Sequence, residues 1–131
     1  MPGAITRAIS IAAPPARVFA IVSDPTSMPR YAPRFARSVR PDGGIWIAET
    51  SRGRLRLWRT GDAQAGTVDF RLKAQDGGEN MVFTRVVPIG RESEFVFTLQ
   101  LPDGVSDEAV VVQGAVLEEE LQALKALCEA G

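Results

Sequence analysis

At 131 residues, with 45% hydrophobic and 24% charged side chains, the chain has the size and composition of one ordinary globular domain, here residues 1–131. Fifteen Lys and Arg against sixteen Asp and Glu leave a formal net charge of −1, which argues against nucleic acid or an anionic membrane as a main partner, since both reward a basic surplus. Histidine is absent and Cys128 is the single cysteine, which removes the Ser-His-Asp triad, the Cys-His pair, His- or Cys-rich metal sites and an internal disulfide; neither a metal nor a cofactor is expected.

The lone cysteine fits a reducing cytoplasm. The opening Met1-Pro2-Gly3 leads straight into an alternating segment without the apolar run of a signal peptide. No stretch approaches the roughly 20 apolar residues of a membrane helix. The expectation is a cytoplasmic protein with no membrane insertion.

Residues 4–11 alternate, with Ile5, Ile9 and Ile11 sharing a face with Arg7, as in a half-buried strand. Pro14-Pro15 suits a helix's first turn and predicts a short helix over about 14–23, stopped by Asp24-Pro25. Residues 26–32, with Pro29 and Tyr31, form one more short turn or helix. A meander follows. Phe35–Arg40 precedes Pro41-Asp42-Gly43-Gly44; Ile45–Thr50 precedes Ser51-Arg52-Gly53; Arg54–Thr60 precedes a Gly/Ala-rich loop. Thr67–Lys73 turns at Asp76-Gly77-Gly78; Glu79–Val87 turns at Pro88-Ile89-Gly90; Glu94–Leu101 ends at Pro102-Asp103-Gly104. Short strands joined by tight turns pair antiparallel. Ser106 reads as an N-cap for a long helix over 107–129, with Asp107 and Glu108 at the positive end of its dipole. Its apolar stripe is Val110, Gly114, Leu117, Leu121, Leu124 and Cys128, with Glu118, Glu119, Gln122 and Lys125 opposite. Gly114 costs the helix about 1 kcal/mol relative to Ala, and reads either as a close approach by the sheet or a ligand, or as simple tolerance.

Runs of strands with helices at the ends give an α+β layout: a curved antiparallel sheet of about seven strands around a long C-terminal helix, with two short helices after the first strand. A sheet wrapping one helix does not fill its concave side evenly, so a cavity is expected beneath Gly114, Leu117 and Leu121. Its apolar lining candidates are Tyr31, Phe35, Trp46, Phe70, Met81, Phe83, Phe95 and Phe97. Each competes with plain core packing. Arg85 shares an alternation face with Met81 and Phe83, and Glu49 shares one with Ile45 and Ile47; the two would pair, anchor a polar ligand group, or snorkel to solvent. Residues 79–87 phase either way, since Val82, Thr84 and Val86 make a second inner face. Arg30, Arg34, Arg37 and Arg40 read as a solvated rim or as a steering surface for an anionic partner. Cys128, on the buried stripe, reads as an inert small hydrophobe.

Ile9-Ser10-Ile11-Ala12-Ala13-Pro14-Pro15-Ala16-Arg17-Val18-Phe19, then Asp24-Pro25, Pro29-Arg30-Tyr31 and the closing Leu117–Lys125 helix resemble the START/Bet v-like (SRPBCC) superfamily, in particular its polyketide cyclase/dehydrase-like branch. The resemblance spans nearly the whole chain and implies the helix-grip fold. Tyr31 stands where many relatives carry Trp, which implies a small or nearly filled pocket. Three functions are compatible with it: binding of a small hydrophobic or aromatic molecule, including lipid; a polyketide cyclase/aromatase or dehydratase; and a protein-interaction module. A homodimer through strand edges or the helix is also compatible. The fold does not choose among them.

Overall fold

The computed structural model describes residues 3–130; the Met1-Pro2 opening, read above as the start of a chain without a leader, lies outside the described residues. β1 (Ala4–Ile11) leads into α1 (Pro15–Val22), a 3₁₀ turn (Pro25–Ser27) and α2 (Met28–Tyr31). The meander β2 (Ser38–Asp42), β3 (Ile45–Thr50), β4 (Gly53–Asp62), β5 (Thr67–Ala74), β6 (Glu79–Ile89) and β7 (Glu92–Gln100) follows, and α3 (Asp107–Glu129) closes the chain. All pairings are antiparallel, in the order β1-β7-β6-β5-β4-β3-β2. First and last strands are therefore neighbours, and the helices between β1 and β2 fall on the same concave side as α3. This is a helix-grip fold.

Local chemistry sets the helix ends. Pro14 is extended and Pro15 opens α1, where its missing N–H costs nothing. The Asp24 carboxylate accepts from Thr26 N–H at 3.0 Å and starts the 3₁₀ turn. The Ser106 hydroxyl accepts from Ala109 N–H at 3.1 Å, and Asp107 and Glu108 occupy the first turn of α3. The last turn of α3 has no base of its own. Arg17 of α1 supplies one: its Nε donates to the Cys128 carbonyl at 2.6 Å.

The core lies between the concave face and the helices. Val68, Phe70, Val82, Val86 and Phe95 of the sheet meet Val18 and Val22 of α1 and Leu117, Leu121, Leu124 and Cys128 of α3. The 62–67 connection is fixed to this frame by Gly66, whose carbonyl accepts from Val86 N–H at 2.8 Å. A Cβ at Gly66 would stand 2.3 Å from Val86 O, and its φ is 73°, so glycine is required there.

Several strand boundaries differ from the sequence reading, among them β4, which runs on to Asp62, and β7, which starts at Glu92; two of the shifts have a clear local cause. β2 starts at Ser38, because Phe35 and Ala36 N–H both donate back to Ala32 O (3.0 and 3.2 Å) and close a turn first. β6 continues through Pro88 and Ile89, leaving only Gly90-Arg91 as the turn. Proline is tolerated there because β5 has already left β6 beyond Arg85, so no ladder is broken on that side.

Candidate functional site

Register fixes which side chains look inward. Phe97 pairs with Arg7 and Thr84, Leu99 with Ile5 and Val82, Leu72 with Leu57 and Asn80, and Leu55 with Ala48 and Ala74. These rows share the concave face with the buried Phe70, Phe95 and Leu57. Nevertheless Leu55, Leu72, Phe97, Leu99 and Leu101 are only half-buried, as are Tyr31 of α2, Phe35 just beyond it and Val110 at the start of α3. α3 lies nearest β1 and α2 rather than the middle of the sheet. Coverage of the inward apolar surface is therefore graded: Val68, Phe70, Val82, Val86 and Phe95 are buried, whereas Leu55, Leu72, Phe97, Leu99 and Leu101 are buried only in part.

Of the candidates read from the sequence, Tyr31, Phe35, Trp46 and Phe97 fall on this half-buried inner surface, and Phe70, Phe95, Leu117 and Leu121 on its sealed floor, at 5% exposure or less. Four candidates face the other way. Met81, Phe83 and Arg85 lie on the convex face, where Phe83 is 43% exposed. The alternative phase is the one adopted: Val82, Thr84 and Val86 point in, with the Thr84 hydroxyl satisfied by donating to Val68 O at 2.7 Å. An inward Arg85 would have been an unpaired buried charge. Glu49 is also convex and does not meet Arg85. Arg40 Nη1 and Arg54 Nε donate to its Oε2 at 2.8 and 3.0 Å, and the Arg40 hydrogen bond in particular holds its carboxyl below the usual range. Gly114 is a close approach, by the sheet. Arg7 Nη2 sits 2.9 Å from where a Cβ would stand, and Arg7 also reaches Glu118 at 3.3 Å and Thr6 O at 2.9 Å.

Two inward charged groups escaped the sequence reading. Arg59 continues the Leu55–Leu57 parity of β4, lies over the Trp46 ring at 4.9 Å, and donates from Nη1 to Ser23 O at 2.6 Å. Glu120 sits among the exposed acids Glu118 and Glu119 in sequence, but it falls on the α2-facing flank of α3 with Val116, Ala123 and Leu127. Burial, with repulsion from Glu119 added and Arg34 only partly offsetting it, pushes its carboxyl up to about 7. Burial also drives the Tyr31 phenol well above its ordinary value, with Glu120 among the charges adding to the effect. A carboxyl that titrates near neutrality beside a neutral phenol can hold or pass a proton. Burial raises the Cys128 thiol too, which removes it as a nucleophile.

Two grooves open on this frame. One, of ≈ 410 Å³, runs along the free edge of β1 between Arg7–Ile9 and Glu118, Glu119, Leu121 and Gln122 of α3. The other, of ≈ 490 Å³, lies between Pro33, Arg34, Phe35 and Arg37 and the β3–β4 turn at Ser51. Leu121 lines the first and Phe35 the second. Among the described residues no group of three Cys, Asp or Glu is placed to hold a metal ion.

A family model described as polyketide cyclase/dehydrase and lipid transport matches residues 2–129. The chain belongs to this family. Solved structures similar to this polyketide cyclase/dehydrase-family chain include the Zhui aromatase/cyclase from Streptomyces sp. R1128 (15% identity, 98% of this chain and 94% of that one, TM-score 0.77). A START superfamily protein from Mycobacterium smegmatis (16%, 97% and 97%, 0.75) and the Aha1 dimer from Colwellia psychrerythraea (13%, 97% and 96%, 0.76) are similar to it as well. At these identities the likeness is one of fold. The comparison with curated proteins gives no match. Family and fold support ligand binding or cyclase-like function in general. No helix among the described residues is long and apolar enough to cross a membrane.

Proposed function

We propose that this domain binds a small hydrophobic or aromatic molecule on the concave side of its sheet, as a carrier or receptor rather than as a catalyst. One observation carries the reading: the inward-facing apolar residues Leu55, Leu72, Phe97, Leu99, Tyr31 and Phe35 pack against the core yet stay only partly buried. Apolar surface held on the concave side at that cost is what a ligand of matching character would cover. The whole chain acts as one module, and its lone buried cysteine suits the cytoplasm.

A second reading, cyclase- or dehydratase-like proton transfer, is favoured by the near-neutral Glu120 beside Tyr31. Turnover on a polyketide-like substrate, lost in Glu120→Gln with binding retained, would select it over the carrier.

The test of binding is uptake of the neutral dye Nile red by the purified chain, together with native mass spectrometry for co-purifying molecules. Leu72→Trp, which places an indole on the half-covered surface, is expected to weaken dye binding at least tenfold while a cooperative melt is retained. If the wild-type protein takes up no dye and carries no molecule, the binding proposal is wrong.

A further inference from the structure

We infer that the ligand carries an anionic head and that Arg37, assisted by Arg34, receives that head in the groove facing the β3–β4 turn. The inference rests on the concave-side reading above and adds the chemical class: a carboxylate-, sulfate- or phosphate-headed amphipath.

The groove adjoins the apolar side through Phe35. Phe35 is half-buried against the core and also lines the groove, so one ring belongs to both surfaces. The flanking positions are cationic. The Arg37 backbone N–H donates to Glu49 O at 2.9 Å, which ties this residue to β3. Its guanidinium has no hydrogen bond or ion pair among the described residues, although the nearby Arg40 and Arg54 both engage Glu49 on the convex side. Arg34 Nη2 stands 3.6 Å from Glu119 Oε2, with both side chains more than 60% exposed, a loose contact that leaves most of its donors unused. A chain of net charge −1 thus keeps an uncompensated cation at the mouth of an apolar surface. A cationic head would be repelled there, and a neutral one would gain little from it. An anion meets a planar donor fork suited to two parallel hydrogen bonds.

The discriminating pair is decanoate and decanol, titrated by displacement of Nile red from the full chain at pH 8 and low salt. Decanoate is expected to bind about tenfold more tightly than decanol, an advantage that shrinks as salt is added. Arg37→Gln is expected to remove most of that advantage and leave decanol unchanged, and the convex-face control Arg85→Gln to change neither. Equal binding of acid and alcohol to the wild-type protein would overturn the anionic head while leaving the concave-side reading in place. A preference that survives Arg37→Gln together with Arg34→Gln would overturn the assignment to this groove. Binding of neither compound by a chain that takes up Nile red would overturn the anionic amphipath, and a chain that takes up no dye would overturn the concave-side reading as well.

Discussion

At single positions the environment overrides what the residue type suggests. Gly114, a helix breaker by propensity, sits under the end of a long flexible side chain, since the atom nearest its missing Cβ is Arg7 Nη2. Gly114→Ala would displace that guanidinium and weaken its exposed contact with Glu118, a loss of about 0–1 kcal/mol. It would also gain about 1 kcal/mol of helix propensity. The two nearly cancel, so the variant is expected to melt at or slightly above the wild-type temperature. A loss above 1 kcal/mol would mean that Arg7 is fixed in place. Glu120 behaves in the opposite sense. Its folded-state pKa, about 7, is raised above the ordinary carboxyl value. Below the ordinary value both states hold the proton and stability is unaffected. Between there and 7 the unfolded chain ionises while the folded chain resists, so stability falls as pH rises through this window and stays lowered above it. The groups facing Glu120 are Tyr31 of α2, Arg34 beyond it and Glu119 on its own helix. Allowing for partial exposure, Glu120→Gln is expected to stabilise the protein by about 1–2 kcal/mol at pH 8 and to change little at pH 5. Urea melts at the two values would refute this if the difference were the same at both.

Elements show what periodicity can and cannot reveal. α3 is legible from end to end, because its cap, its acidic first turn and its stripe agree. β5 and β7 are legible because one parity is apolar and the other mostly polar. β6 is not: Met81 and Phe83 make one parity as apolar as Val82 and Val86 make the other, and the phase is settled by Arg85 reaching solvent outside while the Thr84 hydroxyl finds a partner inside. The edge of β1 is a feature no pattern could show. Gly3 O accepts from Leu101 N–H of the β7 side, so alternation turns the backbone groups of Thr6, Ala8, Ser10 and Ala12 outward. α3 and Arg7 blunt this edge with side chains. Lys125 Nζ donates to Ser10 O at 2.9 Å, Glu129 accepts from Ala12 N–H at 2.7 Å, and Arg7 Nη1 covers Thr6 O. Replacing Lys125 and Glu129 together by Ala is expected to cost about 1–2 kcal/mol and to raise self-association, because an unguarded edge pairs with other strands. Sedimentation that shows no concentration dependence beyond wild type would remove the edge-guarding role.

For the molecule as a whole, architecture was readable because strand alternation, turn glycines and caps all agree on one layout. The proposed binding side was only half readable. Alternation assigns Phe70, Phe95 and Phe97 to one face, but it does not tell a sealed row from an open one; that depends on α3 leaning towards β1 and α2. Arg59 and Glu120 were hidden because a charged residue on an apolar parity reads as solvent-facing until its partner is known. The open row has a consequence for stability. A domain that leaves Leu55, Leu72 and Leu99 half-covered is short of the burial its sequence could provide, and a ligand that covers them adds to folding free energy by linkage. At a hundredfold excess over its Kd that gain is about 2.7 kcal/mol, which corresponds to about 10 °C in Tm for a chain of this length. Leu72→Trp covers part of the same surface from within. It is therefore expected to melt above the ligand-free wild type and to respond to added decanol by less than half as much. A variant that melts lower, yet still gains the full ligand shift, would show that Leu72 packs in the core and that the ligand binds elsewhere.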